Sequence, residues 1–146
     1  MNKEEKVDKA LVGISGVHFV VAELSRRGWI ALPTVRNTKG IDILATRNGK
    51  TVQIQVKTRE RKRRWPLNKK AESLVGDNLF YVFVNLRGNE KPEYFIIPSR
   101  TVAEYLAKTH KLFLEAGGKE NPVRALPNRY APFDLEKYKD NWGLLR

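Results

Sequence analysis

The sequence has no cysteine and no long hydrophobic run, and each absence excludes a class of protein. Without cysteine the chain can hold neither a disulfide framework nor a metal site built on thiolates. A membrane-spanning helix needs about 18 consecutive apolar residues. The charged start MNKEEKVDKA does not match a secretory signal. We therefore expect a soluble, cytoplasmic protein.

Acidic residues are scarce beside basic ones. The chain has 16 Asp and Glu residues against 28 Lys and Arg residues, which gives a formal net charge of +12 at pH 7. An excess of this size is typical of proteins that bind a polyanion, and nucleic acid is a more frequent partner than a membrane. The 146 residues suffice for one domain with its own core, so we expect a single domain over 1–146.

Much of the positive charge lies in one segment. Between Lys57 and Lys70 eight basic residues stand against one acid, Glu60. A solvated loop is one interpretation, and a surface that contacts phosphates is the one we favour. Trp65 has two interpretations of equal weight: it stacks on a base, or it anchors its loop against the core. The predicted nucleic-acid-binding residues are Arg59, Arg61, Lys62, Arg63, Arg64, Trp65, Lys69 and Lys70.

A β-hairpin is predicted over residues 40–58, just before the basic segment, where the sequence is GIDILATRNGKTVQIQVKT. Asn48-Gly49 suits a two-residue type I′ turn, which needs positive φ at both central positions. Residues equally distant from this turn then face each other across the two strands. The resulting apolar face consists of the pairs Ile41–Val56, Ile43–Ile54 and Ala45–Val52.

The other face of the same hairpin is polar. Asp42 is predicted to lie opposite Gln55, with Lys57 as a diagonal neighbour, and Gln53 lies opposite Leu44. Directly opposed residues have Cβ atoms about 5 Å apart. A carboxylate, an amide and an ammonium are thus expected to form one cluster. It is either a structural ion pair at a strand end or a functional site, and we favour the site.

The segment before the hairpin has helical spacing. A helix is predicted over about Lys3–Arg27, with Gly28 as its C-cap. Its expected buried stripe is Ala10, Ile14, Val17, Val21 and Leu24.

The other segments complete an α/β domain with a mixed β-sheet flanked by helices. Asn78–Leu86 is apolar on both faces, as in a central strand. The further predicted elements are an edge strand over 29–32, hairpin strands over 40–46 and 51–58, a strand over 94–97, a helix over 99–116 capped by Ser99, a loop over 117–132 and a short terminal helix capped by Asp134.

The motif GID at 40–42, followed by QVK at 55–57, resembles the PD-(D/E)XK nuclease superfamily. This is the restriction-endonuclease-like fold, and the glutamine variant is similar to Mrr-type and Holliday-junction-resolvase-like endonuclease domains. The resemblance extends through AELSRRGW at 22–29 and residues 138–145. It implies a metal-dependent endonuclease that acts on DNA.

The resemblance also implies a site for Mg²⁺ or Mn²⁺. Asp42 would be the central ligand, Gln55 would offer an amide oxygen, and the backbone carbonyl of Val56 would complete the set. Lys57 would orient the attacking water and stabilise charge on the phosphate. Mg²⁺ prefers hard oxygen ligands, and a cation offsets charge that builds up on phosphate oxygens. His18 and Gln53 are candidate accessory residues.

Two departures from the family pattern concern activity. Gln55 removes a negative charge from the metal site. Related sequences often have a glutamate directly after the glycine that corresponds to Gly16, and here Val17 stands there. Glu23 lies about 240° from Val17 around the helix and is interpreted as a surface charge beside Arg26 and Arg27.

Three functions therefore remain open. The first is a DNA endonuclease, the second is a nucleic-acid-binding module that has lost efficient catalysis, and the third is a basic assembly protein that shares only the architecture. A homodimer is compatible with the first, since nucleases of this kind often pair to cut two strands.

Overall fold

The structure is a computed structural model that describes residues 6–35 and 40–146. Within these ranges no helix combines the length and apolarity needed to cross a membrane. The helices and strands in chain order are α1 (Lys9–Arg26), β1 (Ile30–Pro33), β2 (Ile43–Arg47), β3 (Lys50–Glu60), β4 (Trp65–Asn68), β5 (Leu79–Arg87), β6 (Glu90–Pro98), α2 (Ser99–Glu115) and β7 (Val123–Leu126), with 3₁₀ turns at Lys69–Glu72, Leu135–Tyr138 and Trp142–Leu145.

Five strands form the main sheet in the order β1-β2-β3-β5-β6. Strands β3 and β5 are parallel, and the other neighbours are antiparallel, so the predicted mixed sheet is confirmed. Strands β4 and β7 form a separate antiparallel pair. The prediction of an irregular loop over 117–132 is therefore wrong in part, because β4 supplies a partner for Val123–Leu126 that lies far away in sequence.

The predicted hairpin and its register are confirmed. Asn48 and Gly49 have φ values of 52° and 80°, as a type I′ turn requires. The ladder pairs Ile43 with Ile54 and Ala45 with Val52. It begins at Ile43, however, so the predicted pairs Ile41–Val56 and Asp42–Gln55 are not formed.

The chain leaves the ladder at Asp42 for a local reason. Gly40 has a φ of 64°, which turns the chain just before this point. The Asp42 amide donates to the Ile54 carbonyl at 2.8 Å, although Ile54 already pairs with Ile43. Two residues at this strand end thus face one residue of β3, as in a β-bulge.

The main sheet has one helix on each face. Val20 and Leu24 of α1 pack against the even-numbered apolar residues of β3, such as Ile54 and Val56. On the other face Val102 and Leu106 of α2 pack against a group of β5 and β6 residues: Tyr81, Phe83, Phe95 and Ile97. Because side chains alternate along a strand, the odd-numbered residues of β3 lie on the α2 face.

Helix α1 is rotated relative to the prediction. Its buried residues are Gly16, Val20, Glu23 and Leu24. Ala10 is exposed and Ile14 is 46% exposed, so the first half of the predicted stripe is wrong. The helix starts at Lys9, with Asp8 as N-cap, and the predicted start at Lys3 lies outside the described residues.

The later caps agree with the predictions only in part. Ser99 is the first residue of α2, and Pro98 is the N-cap. The Ser99 hydroxyl instead donates to the Gly76 carbonyl at 3.0 Å. Asp134 is an N-cap as predicted, since its carboxylate accepts from the Lys137 amide, but it caps the 3₁₀ turn Leu135–Tyr138 and a second turn, Trp142–Leu145, follows in place of one terminal helix.

Candidate active site at the end of strand β2

The candidate site lies where β2 ends and β3 continues. The β2–β3 ladder reaches no further than the Ile43–Ile54 pair, whereas β3 pairs with β5 as far as Glu60. Beyond Ile54, one edge of β3 therefore has no strand from the described residues paired with it. Asp42, Gln55 and Lys57 all lie at this fork in the sheet.

Asp42 is held at the fork by its own backbone and side chain. Its carboxylate accepts a hydrogen bond from the Val56 amide at 2.7 Å. Its carbonyl accepts from the Thr34 amide at 2.9 Å. If β2 were longer, one of its backbone carbonyls would accept the hydrogen bond from the Val56 amide. The Asp42 carboxylate accepts it instead, and this bond fixes the carboxylate beside Val56.

Gln55 presents an unusual oxygen. The side-chain carbonyl oxygen Oε1 is buried and has no hydrogen-bond partner among the described residues. Tyr81 lies opposite Gln55 in the parallel ladder, is fully buried, and has an equally unpartnered hydroxyl. Burial raises the pKa of Tyr81 to about 12, so this phenol stays protonated. A buried polar atom without a partner costs about 1–3 kcal/mol, which a ligand can recover.

Lys57 lies on the same face of β3 as Gln55, two residues further on. Burial lowers the pKa of its ammonium, and the nearby Asp42 carboxylate partly opposes that shift. No carboxylate in residues 6–35 or 40–146 lies within 4.0 Å of its Nζ atom. The ammonium is therefore half-buried and has no carboxylate partner within the described structure.

The oxygen donors at the fork fit a weakly held divalent cation. Asp42 offers a carboxylate. The buried oxygen of Gln55 has no hydrogen-bond partner among the described residues, and a hard cation is a suitable partner for it. In the described part of the chain no three Asp, Glu or His residues are grouped as a metal site. One carboxylate gives the site little negative charge, so low affinity is expected.

The candidate accessory residues lie further out. His18 is exposed on α1, which covers the face of β3 opposite Gln55 and Lys57. Val17 is partly buried and packs against the apolar core on that face. Gln53 is exposed on the Gln55 face and pairs with Leu44.

The interpretation of Glu23 as a surface charge is wrong. Glu23 is only 9% exposed, because the rotation of α1 turns it toward the protein. Its carboxylate accepts from the guanidinium groups of Arg26 and Arg27, and this predicted pairing is confirmed. A buried stripe that contains Val17 and Val21 puts Glu23 on the solvent side of the helix. Gly16 was the sequence signal for the side of α1 that is in fact buried, because a glycine lets the helix lie directly against β3.

Some residues of the basic segment are exposed to solvent, and others contact the rest of the protein. Arg59 is half-buried and donates to the Arg64 carbonyl at 3.1 Å. Trp65 is 1% exposed and its indole donates to the Val84 carbonyl at 3.0 Å, so it anchors the loop and cannot stack on a base. The exposed cations of the segment are Arg61, Lys62, Arg63, Arg64, Lys69 and Lys70.

Arg63 stabilises the folded protein through ion pairs. Its guanidinium binds the carboxylates of Glu93 and Glu136, and these contacts raise its pKa. Glu93 is buried and also contacts Asn85 and Lys139, and its hydrogen bond with Arg63 is the largest cause that lowers its pKa to about 2. Arg63 is therefore less available to a phosphate than its neighbours.

Comparison with known proteins gives structural matches only. No protein-family profile and no curated protein sequence matches the chain. The fold is similar to that of a bacterial homing endonuclease, with a TM-score of 0.60 and 14% identity over 96% of this chain and 92% of the other. A Holliday junction resolvase from Archaeoglobus fulgidus gives a TM-score of 0.49 and 17% identity over 78% of this chain and 82% of the other.

At this identity a structural match establishes the fold. The five-stranded mixed sheet with a helix on each face, together with the similarity to the homing endonuclease, confirms the predicted architecture. The chain therefore has the restriction-endonuclease-like fold.

Proposed function

We propose that this protein is a metal-dependent endonuclease that hydrolyses phosphodiester bonds in DNA. The observation that carries the proposal is the buried side-chain oxygen of Gln55, which has no hydrogen-bond partner among residues 6–35 and 40–146 and lies at the fork that also holds Asp42 and Lys57. A polar cluster with one oxygen lacking a partner is better suited to binding a cation than to stabilising the fold. The homing endonuclease with the same fold supports a nucleolytic activity.

Asp42, Gln55 and the Val56 carbonyl would hold Mg²⁺ or Mn²⁺. When bound, the ion supplies Lewis-acid activation of a phosphate and lowers the pKa of a coordinated water. The hydrogen bond from the Val56 amide fixes the Asp42 carboxylate before any ligand arrives. Lys57 contributes a cation that offsets charge on the phosphate oxygens in the transition state.

The charge distribution favours DNA as the substrate. β3 runs from the fork into the basic segment, so exposed cations follow the proposed catalytic residues directly. Cations on one surface neutralise several phosphates and release the counterions that surround DNA. A homodimer would place two such sites on two strands, and sedimentation analysis with and without duplex DNA tests this arrangement.

The test is a cleavage assay on duplex, junction and single-stranded DNA with Mg²⁺ or Mn²⁺. Asp42→Asn and Lys57→Met should abolish cleavage and leave DNA binding largely intact. Glu115→Gln is the matched control, since Glu115 is an exposed carboxylate in the last turn of α2 and not part of the fork. Unchanged cleavage in both site variants would show that the site assignment is wrong.

A second candidate function is a nucleic-acid-binding module without efficient catalysis. It is favoured by the single carboxylate at the fork and by the lack, in the described residues, of a larger group of metal-ligating side chains. This alternative predicts no cleavage with either metal, together with DNA binding that weakens steeply as salt rises. Poor binding of all three DNA forms at physiological salt would favour the assembly protein instead.

A further inference from the structure

We propose that a surface cavity beside the basic segment binds an unstacked nucleobase of the DNA strand. The proposal rests on the proposed DNA substrate and adds a second contact region to it. The cavity has a volume of about 640 Å³ and lies between α2 and the chain that follows β7. This size falls within the range of about 300–1,000 Å³ that is typical of ligand sites.

One wall of the cavity is aromatic. Phe113 from α2 and Tyr130 from the chain after β7 meet edge to face, with ring centroids 5.7 Å apart and planes at 74°. Both side chains line the cavity and are half-buried. Aromatic rings in an accessible groove are the platforms on which single-stranded bases stack, because every base has a π-face.

Hydrogen bonds hold the aromatic wall in place. The Tyr130 amide donates to the Asn128 side chain at 2.9 Å. The Asn128 amide donates to the Tyr105 hydroxyl at 2.8 Å, and that hydroxyl donates to the Ala131 carbonyl at 2.9 Å. Because Tyr105 is itself buried in the core, the segment that carries Tyr130 is ordered before a ligand binds.

The cavity also has two cations available for phosphates. Arg64 and Arg129 line it and are exposed, and neither has a carboxylate within 4.0 Å among the described residues. Two other arginines of the lining, Arg63 and Arg124, are already paired with glutamates. Arg129 also lies over the Tyr130 ring, 5.2 Å from its centroid.

The cavity is connected to the fork by side chains of the basic segment. Arg59 lies on the same face of β3 as Lys57, two residues on, which is about 7 Å along a strand. Its guanidinium donates to the backbone carbonyl of Arg64 at 3.1 Å, and Arg64 reaches the cavity. A DNA strand with one phosphate at Lys57 can therefore extend past Arg59 and Arg64 to the aromatic wall of the cavity.

The cation–aromatic combination favours a nucleobase. From the sequence, Trp65 was a candidate for stacking on a base in the basic segment, but its side chain is buried. Tyr130, which is distant in sequence, lines the same cavity as Arg64 instead. A site that only contacted phosphates would not need the ring pair.

The test compares two oligonucleotides of equal length, one of thymidine and one abasic, so that only the bases differ. Binding is measured by fluorescence anisotropy in EDTA, which removes cleavage from the measurement. We expect the thymidine strand to bind about 5- to 150-fold more tightly than the abasic strand. Tyr130→Ala should remove most of this preference, and Tyr130→Phe, which keeps the ring, should retain it.

Phe19→Ala is the matched control, because Phe19 is an exposed aromatic residue on α1 and outside the cavity. A strand that carries 5-iododeoxyuridine should photocrosslink to the peptides containing Phe113 or Tyr130. Equal affinity of the parent protein for both strands, or an unchanged preference in Tyr130→Ala, would overturn the proposal. Cleavage without a base preference would overturn this proposal alone, whereas a base preference without cleavage would count only against the nuclease.

Discussion

Helix α1 meets strand β3 at Gly16 and Thr58, where a Cβ atom on the glycine would lie 1.8 Å from the threonine hydroxyl oxygen. The contact is direct because glycine has no side chain to separate the two backbones. Thr58 follows Lys57, so this contact also sets the position of the strand that carries the proposed catalytic lysine. The rotation of α1 follows from the same contact.

This contact predicts opposite effects for two glycines of one helix. Gly16→Ala should destabilise the protein by about 1–3 kcal/mol, because the added methyl group overlaps the Thr58 side chain. Gly13→Ala meets no atom within 4 Å and should leave stability unchanged or raise it by up to about 1 kcal/mol. Chemical denaturation measures both. Equal effects of the two substitutions would contradict the packing described for α1.

Restoring a second acid at the fork should strengthen metal binding. Gln55→Glu places a carboxylate where a buried amide oxygen has no partner in the described part of the chain, so Mn²⁺ affinity should rise by about one order of magnitude. Without metal the buried charge should lower the melting temperature, and Mn²⁺ should recover it. Calorimetric titration and thermal unfolding give the two quantities.

Gln53→Glu is the control for this substitution. Gln53 is exposed on the same face of β3, so its replacement should change neither metal affinity nor melting temperature by much. If both glutamate variants bind Mn²⁺ alike, Gln55 does not belong to a metal site.

Acid should destabilise the protein through Glu93. Its pKa in the folded state is about 2, below the ordinary value of 4.5, so the unfolded chain binds this proton first as pH falls. The stabilisation is complete above about pH 4.5 and is lost progressively toward pH 2, by about 3 kcal/mol in total. Urea denaturation at a series of pH values measures it.

Glu93→Gln should remove this part of the pH dependence, whereas Glu115→Gln, at an exposed position, should keep it. A parent protein whose unfolding free energy stays constant between pH 4.5 and 2 would contradict the assignment.

The exposed cations should govern the salt dependence of DNA binding. Replacing Arg61, Lys62 and Arg64 together by alanine should reduce the slope of log K against log salt by about two to three. Arg63→Gln should lower the melting temperature instead, because it breaks the contacts with Glu93 and Glu136. Titrations at several salt concentrations distinguish the two classes, and a larger slope change for Arg63 would reverse the assignment.

Local sequence signals predicted the hairpin well. Asn48-Gly49 and the alternation of apolar residues act over a few residues, and the register they imply is confirmed from Ile43 onward. The exit from the ladder at Asp42 was not predicted, because it depends on the turn at Gly40 and on the bond from the Asp42 amide to Ile54. The assignment of Asp42, Gln55 and Lys57 to a catalytic site stays a prediction, as does the metal site formed by Asp42, Gln55 and the Val56 carbonyl.

Other features depended on residues that are remote in sequence. Trp65 is an anchor because Val84, nineteen residues later, accepts its indole hydrogen bond. β7 exists because β4 lies beside it, and no pattern within 117–132 indicated a strand.

By itself, the sequence determined the mixed α/β architecture, the hairpin turn and the concentration of positive charge after Lys57. The turn and the order of helices and strands follow from backbone preferences and side-chain periodicity, which act within one element, and the charge follows directly from the residue types. Only the tertiary structure decided which face of α1 is buried, which arginines are neutralised, and which aromatic residues line the same cavity as Arg64. Those outcomes depend on the direct approach of separate segments, and the packing at Gly16 and the ion pairs of Glu93 exist only once the chain has folded.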